Sequence, residues 1–177
     1  RRMAKELGLT VADKAESREI CFVPDNDYPS FIEKRVSYES FREGAIVNID
    51  GEILGKHRGY PAFTVGQRKG LNIGGLKEPH YVTAINPDKN EVTVGPKSDL
   101  YRSEFFADKV NWCLPKQEAF EAQVQIHYRH NGSTATVVPL PDERVRVEFS
   151  EPQLSVTPSQ SAVFYMDDLV VGGGWIE

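Results

Sequence analysis

Between residues 120 and 129 the side chains alternate without a break. Phe120, Ala122, Val124, Ile126 and Tyr128 fall on one face, and Glu121, Gln123, Gln125, His127 and Arg129 on the other. A period of two is that of a half-buried strand, so the segment predicts β-structure with Tyr128 on the apolar side. Short apolar runs follow the same habit: Phe105 to Trp112 before it, then 134–138, 144–149, 161–165 and 169–176 after it, each closed by turn residues. Several short strands at such spacing predict a small antiparallel barrel over residues 98–177.

Residues 28–97 predict a separate, smaller β-rich unit. Phe31, Ile32, Val36 and Phe41 recur at helical spacing, with Ser30 as the cap of a short helix. The run 44–49, the pair Asp50-Gly51 and the return 52–55 spell a hairpin, and 81–85 and 91–95 around the turn 86–90 spell a second. No helix longer than about two turns is expected after residue 42. Ahead of this unit, residues 1–7 carry Met3, Ala4 and Leu7 on one helical face, with Gly8 placed to end it. A charged loop then leads into the apolar run 20–23. The fold class expected is mainly β: a central β-rich domain (28–97) and a C-terminal antiparallel β-barrel (98–177), preceded by the end of another domain (1–27).

Charge changes the picture at one place. The chain has 21 Lys plus Arg against 26 Asp plus Glu, a net charge of -5, which argues against indiscriminate binding to nucleic acid. Residues 54–77, LGKHRGYPAFTVGQRKGLNIGGLK, nevertheless carry Lys56, Arg58, Arg68, Lys69 and Lys77 and no carboxylate. Six glycines there leave backbone N–H groups approachable, and Tyr60 and Phe63 stand between the cations. That mixture suits a phosphate backbone with unstacked bases; the alternative is a solvated loop with ordinary surface lysines. No apolar run approaches the roughly 18 residues of a membrane span, and no signal pattern opens the chain, so no membrane partner and a cytoplasmic location are expected.

The two cysteines, Cys21 and Cys113, are far apart, without a CxxC or a histidine at ligand spacing, so no metal site is expected. Cys21 lies where the charged loop meets the apolar run, with Arg18 three residues before it. A nearby cation favours the thiolate and an apolar wall limits water, the setting of a nucleophile; a buried structural thiol is the other reading. Cys113, inside NWCLP, is expected to be buried and inert.

Four ordered segments, SREICFVP (17–24), GEILGKHRGYPAFTVGQRKGLNI (51–73), HYR (127–129) and TPSQSAVFY (157–165), resemble the tRNA 2-thiouridylases over nearly the whole chain. The resemblance implies an ATP-dependent sulfurtransferase that replaces the 2-oxygen of the wobble uridine of tRNA. It implies ATP and Mg²⁺ bound by an N-terminal PP-loop domain that this sequence does not contain. An adenylated uridine would be attacked by a persulfide carried on Cys21 and supplied by a sulfur-donor protein. A second cysteine outside this sequence would release the sulfur, and a disulfide is among the features implied. The implied tRNA contacts fall on His127, Tyr128 and Gln160, with Arg129 adjacent; Arg58, Arg68 and Lys69 join them from the basic stretch. His127 departs from the family pattern, where Arg is common. Without the PP-loop domain the 177 residues are expected to be inactive alone. Two other classes remain: a non-catalytic β-barrel RNA-binding module, and a thiol redox protein using Cys21 and Cys113, which lacks any CxxC to support it.

Overall fold

A computed structural model describes residues 2–10, 12–13, 22–23, 27–36, 41–76, 78–115, 118–128 and 130–177. Two β units are built, one after the other, and both are organised as the hydrophobic pattern requires.

The first described element, α1 (Arg2–Glu6), ends as expected at Gly8, whose φ of 64° lies in the left-handed region. The Gly8 N–H donates to Lys5 and the Leu9 N–H to Ala4, so the last carbonyls of the helix find donors. Met3 and Leu7 on its apolar side are exposed. The helix α2 (Tyr28–Glu33) is shorter than its apolar spacing predicts, and its cap is one turn earlier. Asp27, not Ser30, is the N-cap: its Oδ1 accepts the Ser30 N–H at 3.2 Å, and Pro29 occupies the first turn, where a missing N–H costs nothing.

The central sheet contains β1 (Gly44–Val47), β2 (Ile53–His57), β3 (Tyr81–Asn86) and β4 (Glu91–Gly95) in the order β2-β1-β4-β3. Both hairpins form. In the first, the Asn48 side chain organises the turn, its Oδ1 accepting from Asp50 at 3.0 Å and Glu52 at 2.8 Å while Gly51 takes φ 83°. The two hairpins are joined by a parallel pairing of β1 with β4, which buries Ile46, Val82, Val92 and Val94 with Leu71 in one core.

The barrel is closed by β5 (Tyr101–Trp112), β6 (Phe120–Gln125), β7 (Ser133–Pro139), β8 (Val145–Leu154), β9 (Ser161–Met166) and β10 (Leu169–Ile176), in the circular order β10-β5-β8-β7-β6-β9. Neighbours are antiparallel throughout. Inward positions alternate as the sequence predicts, and Val124, Val137, Val147, Ala162 and Phe164 are fully buried inside. Closure leaves the barrel without an open edge, which removes the unpaired N–H and C=O rows that a six-stranded open sheet would present.

Two side chains depart from the predicted alternation. Tyr128 is 99% exposed, because β6 ends at Gln125 and a turn begins, so the period of two stops after the buried Ile126. Cys113 is a free, exposed thiol rather than a buried one. In β5, Phe105 and Ala107 point inward, but Lys109 adopts φ 48° and the pairing with β10 slips, so that Val110, Trp112 and Leu114 are the inward set beyond it. That bulge inverts the parity and turns Cys113 outward. The described residues contain no disulfide, and no described helix is long and apolar enough to cross a membrane.

Candidate nucleic-acid interface

The carboxylate-free stretch leaves β2 and wraps one side of the central sheet. After His57 the chain makes a single 3₁₀ turn, Tyr60–Ala62, then pairs briefly with β3: the Gly66 N–H donates to Val82 O at 2.8 Å and the Val82 N–H to Gln67 O at 2.9 Å. Gln67 fixes the following turn, its Oε1 accepting from Thr64 and its Nε2 donating to Lys69 O at 2.9 Å. Leu71 is buried, and Tyr60, Phe63, Val65 and Ile73 pack partly on the central core. Tyr60 and Phe63 are therefore anchored on one side, not free platforms between the charges.

The cations have unequal freedom. Lys56 is engaged by Glu43, Nζ to Oε1 at 2.6 Å, and the pair holds the Glu43 carboxyl below and the Lys56 ammonium above their ordinary ranges. Arg58, Arg68 and Lys69 are exposed and form no ion pair among the described residues. Packed Leu71 and the Gln67 turn hold Arg68 and Lys69 outward, which leaves their charge available to an anion.

A second element of the interface is the turn after β6. His127 and His130 face each other with ring centroids 5.3 Å apart, and the His130 N–H donates to His127 O at 2.9 Å. One ring nitrogen of His130, Nε2, lies 3.1 Å from Gln153 Oε1 on β8, and Gln153 Nε2 in turn donates to Glu151 O at 2.7 Å. The turn is thus tied to the barrel wall through His130, a residue the sequence pattern did not single out. Partial burial, and then the neighbouring His130, push the His127 pKa down, so that near neutral pH its imidazole is uncharged. At the apex Tyr128 presents its whole ring to solvent.

The third element is the connection from β8 to β9. The Ser155 N–H donates to Leu100 O, Thr157 Oγ1 to Ser155 O, and the Gln160 N–H to Thr157 O at 3.2 Å, while the N–H groups of Ser159 and Ile176 bond across to Ile176 O and Gln160 O at 2.8 Å each. The backbone of Gln160 is held at both its N–H and its C=O. Its side chain is exposed and makes no hydrogen bond among the described residues.

This connection meets the basic stretch. Gly66, at φ 89°, lies so close to Ser155 that a Cβ there would sit 2.8 Å from Ser155 Oγ. Beside the contact opens a cleft of about 710 Å³ between the two β units, walled by Tyr60, Phe63, Val65, Ile85, Phe105 and Phe106, with Gln160 also on its lining. Gln160 and the 60–65 segment therefore border one cavity, whereas no described contact joins the 127–130 turn to it. Cys21 and Arg129 lie outside the described residues. Among the described residues no cluster of His, Cys, Asp and Glu could hold a metal ion.

The chain matches two family models, the tRNA methyl transferase PRC-barrel domain over residues 30–96 and the aminomethyltransferase beta-barrel domain over residues 102–176. It is 48% identical, over its whole length, to the tRNA-specific 2-thiouridylase MnmA of Geotalea uraniireducens, of which it covers 47%. Relatives with the same name from Syntrophotalea carbinolica (47% identical, 98% of this chain and 49% of the relative) and Carboxydothermus hydrogenoformans (44%, 100% and 48%) match in the same way. The chain thus spans about half the length of the curated relatives it matches. Two sequential β units, each matched by its own family model, and this level of identity across the whole chain place it: the chain belongs to the tRNA-specific 2-thiouridylase family.

Proposed function

We propose that these residues form the tRNA-handling portion of a tRNA 2-thiouridylase. The central domain (28–97) and barrel (98–177) grip the tRNA, and residues 1–27 end the catalytic domain and carry Cys21. Arg58, Arg68 and Lys69 neutralise backbone phosphates. His127, Tyr128, Arg129 and Gln160 contact the tRNA from the barrel. The observation that carries this reading is Tyr128, an aromatic ring left 99% exposed at the rim of a well-packed barrel, on a turn anchored by His130. A stacking partner would repay an exposure that folding leaves uncompensated.

In the complete protein ATP and Mg²⁺ would be held by a domain outside these residues and would supply activation of the uridine 2-oxygen, with pyrophosphate leaving. The terminal sulfur of a Cys21 persulfide, loaded by a sulfur-donor protein, then attacks C2, and the C–O bond breaks with AMP departing. A second thiolate attacks the Cys21 sulfur, the S–S electron pair moves to the departing sulfur, and thiouridine and a disulfide are left. The work takes place where tRNA is found, in the cytoplasm.

The test is salt-dependent tRNA binding by the chain. Replacing Arg58, Arg68 and Lys69 together with Ala is expected to weaken binding and to flatten the log–log salt slope by roughly two to three units, at about 0.7 to 0.9 for each lost phosphate contact. An unchanged slope on folded protein would return the stretch to a solvated loop. Loss of thiouridine by Cys21→Ser in the complete protein, with tRNA binding intact, separates the sulfurtransferase from a non-catalytic RNA-binding module.

A further inference from the structure

We infer that the cleft between the central sheet and the barrel is a nucleobase site, which takes one unstacked base of the bound tRNA while the backbone stays on the basic stretch outside. The inference rests on the tRNA-handling reading and adds to it a site and a kind of contact.

Three observations converge. The cleft, at about 710 Å³, has the size of a small-molecule site, and flat or branched apolar side chains stand on its walls: Tyr60, Phe63, Ile85 and Phe106. Such walls favour an uncharged, planar occupant and exclude a phosphate.

The polar groups on the lining are sorted in the same sense. Glu177 is held bidentately by Arg144, at 2.7 Å from Nε and 2.5 Å from Nη2, and this keeps its carboxyl below the usual range. Arg102 spends Nη1 on the carbonyls of Asp99 and Tyr101, and Glu104 lies 3.9 Å from Arg146, whose Nη1 is held more closely by Glu148 at 2.6 Å. Glu177 and Arg102 at the cleft are thus already engaged, and Glu104 is held only loosely. The Gln160 side chain is not engaged, and an amide that can donate and accept at once matches the edge of a nucleobase. Its backbone is pinned through Thr157 and Ile176, so the amide is presented from a fixed point.

The third observation is continuity. Residues 60–65 form one wall of the cleft and belong to the same carboxylate-free stretch as Arg58, Arg68 and Lys69. Gly66, at φ 89°, brings that stretch against the Ser155 side chain, 2.8 Å from Oγ to where a Cβ would stand. Arg58, Arg68 and Lys69 are not on the cleft lining themselves, but the segment between Arg58 and Arg68 is, so an RNA strand held by these cations has the cleft within the same segment, where an unstacked base would meet apolar walls and a free amide together.

The experiment uses a tRNA transcript in which 4-thiouridine randomly replaces uridine, cross-linked to the chain by near-ultraviolet light, with the modified peptides identified by mass spectrometry. Cross-links on peptides bearing Tyr60, Phe63 or Gln160 are expected. In parallel, Ala84→Trp places a large side chain on the cleft from the exposed face of β3. It is expected to weaken tRNA binding about tenfold, an effect on the scale of one lost stacked base, with an unchanged salt slope because no phosphate contact is touched. Cross-links elsewhere, together with native affinity for a folded Ala84→Trp variant, would overturn the cleft site and leave the tRNA-handling reading standing. Absence of salt-dependent tRNA binding by the native chain would overturn both.

Discussion

The two β units solve the same burial problem with different means. The barrel buries an almost wholly apolar interior, from Phe105 to Ile176, and closes its own edges. The central sheet is open, joins its hairpins by a parallel pair, and buries two polar residues, His57 and Asn90. His57 is only 4% exposed, and neither ring nitrogen has a hydrogen-bond partner among the described residues. It fits because Gly44 has no side chain: a Cβ there would fall 2.6 Å from the ring and 2.2 Å from Asn90 O. Asn90 in turn donates from Nδ2 to Glu43 O at 2.9 Å, tying the second hairpin to the start of the first. The difference teaches where each unit can afford function. A barrel whose stability is stored inside can leave its rim turns free for contact, whereas the small sheet depends on particular polar and glycine positions close to its basic loop.

The sharpest way to break the barrel is from within. Phe164 is the largest fully buried side chain among the described residues, on β9 between its hairpin partner β10 and the distant β6, and Phe164→Ala is expected to cost about 3–5 kcal/mol, read as a lowered chemical-denaturation midpoint. A loss under about 1 kcal/mol would mean that the interior is not tightly packed.

On the rim the same barrel should tolerate change. Tyr128→Ala is expected to leave melting unchanged and to weaken tRNA binding by about 1–3 kcal/mol, the worth of one base–aromatic stack. Lower melting with native affinity on folded protein would make the tyrosine structural.

The central sheet should be distinguished by pH. Burial pushes the His57 pKa below its usual value of about 6.5; the Asn90 carbonyl, short of hydrogen-bond geometry, and the Glu43 carboxylate offset this only in part. The unfolded chain then binds the proton more readily than the folded one, so this contribution is intact above about pH 6.5 and is lost as pH falls toward the folded-state pKa. Melting temperatures between pH 7.5 and 5 should fall for the native chain and fall less for His57→Phe. Parallel curves would show that His57 does not titrate against the fold.

The smallest effect is expected at Cys113. An exposed thiol outside the barrel contributes little packing, and Cys113→Ser should stay within about 0.5 kcal/mol of the native stability. A larger loss on denaturant titration would argue that the outward face beyond the β5 bulge is covered in solution.

What the residues determined by themselves is the local part of the structure. Strict alternation through 120–126, the turn chemistry of Asn48 to Gly51 and of Asn86 to Asn90, and the glycine stop at Gly8 each act within a few positions, so their physics is written in the neighbouring residues. The gathering of cations into one carboxylate-free stretch was legible for the same reason. Tertiary structure decided the rest: the parallel pairing of β1 with β4, barrel closure through β6 and β9, and the meeting of Gly66 with Ser155 that sets Gln160 beside the 60–65 wall. It also turned Tyr128 and Cys113 outward, the first against the alternation of its segment and the second against its apolar run. Alternation says which residues share a face only while a strand continues unbroken. Where it ends, or where a residue such as Lys109 inserts a bulge, the face is chosen by partners many residues away, and no local pattern records that choice.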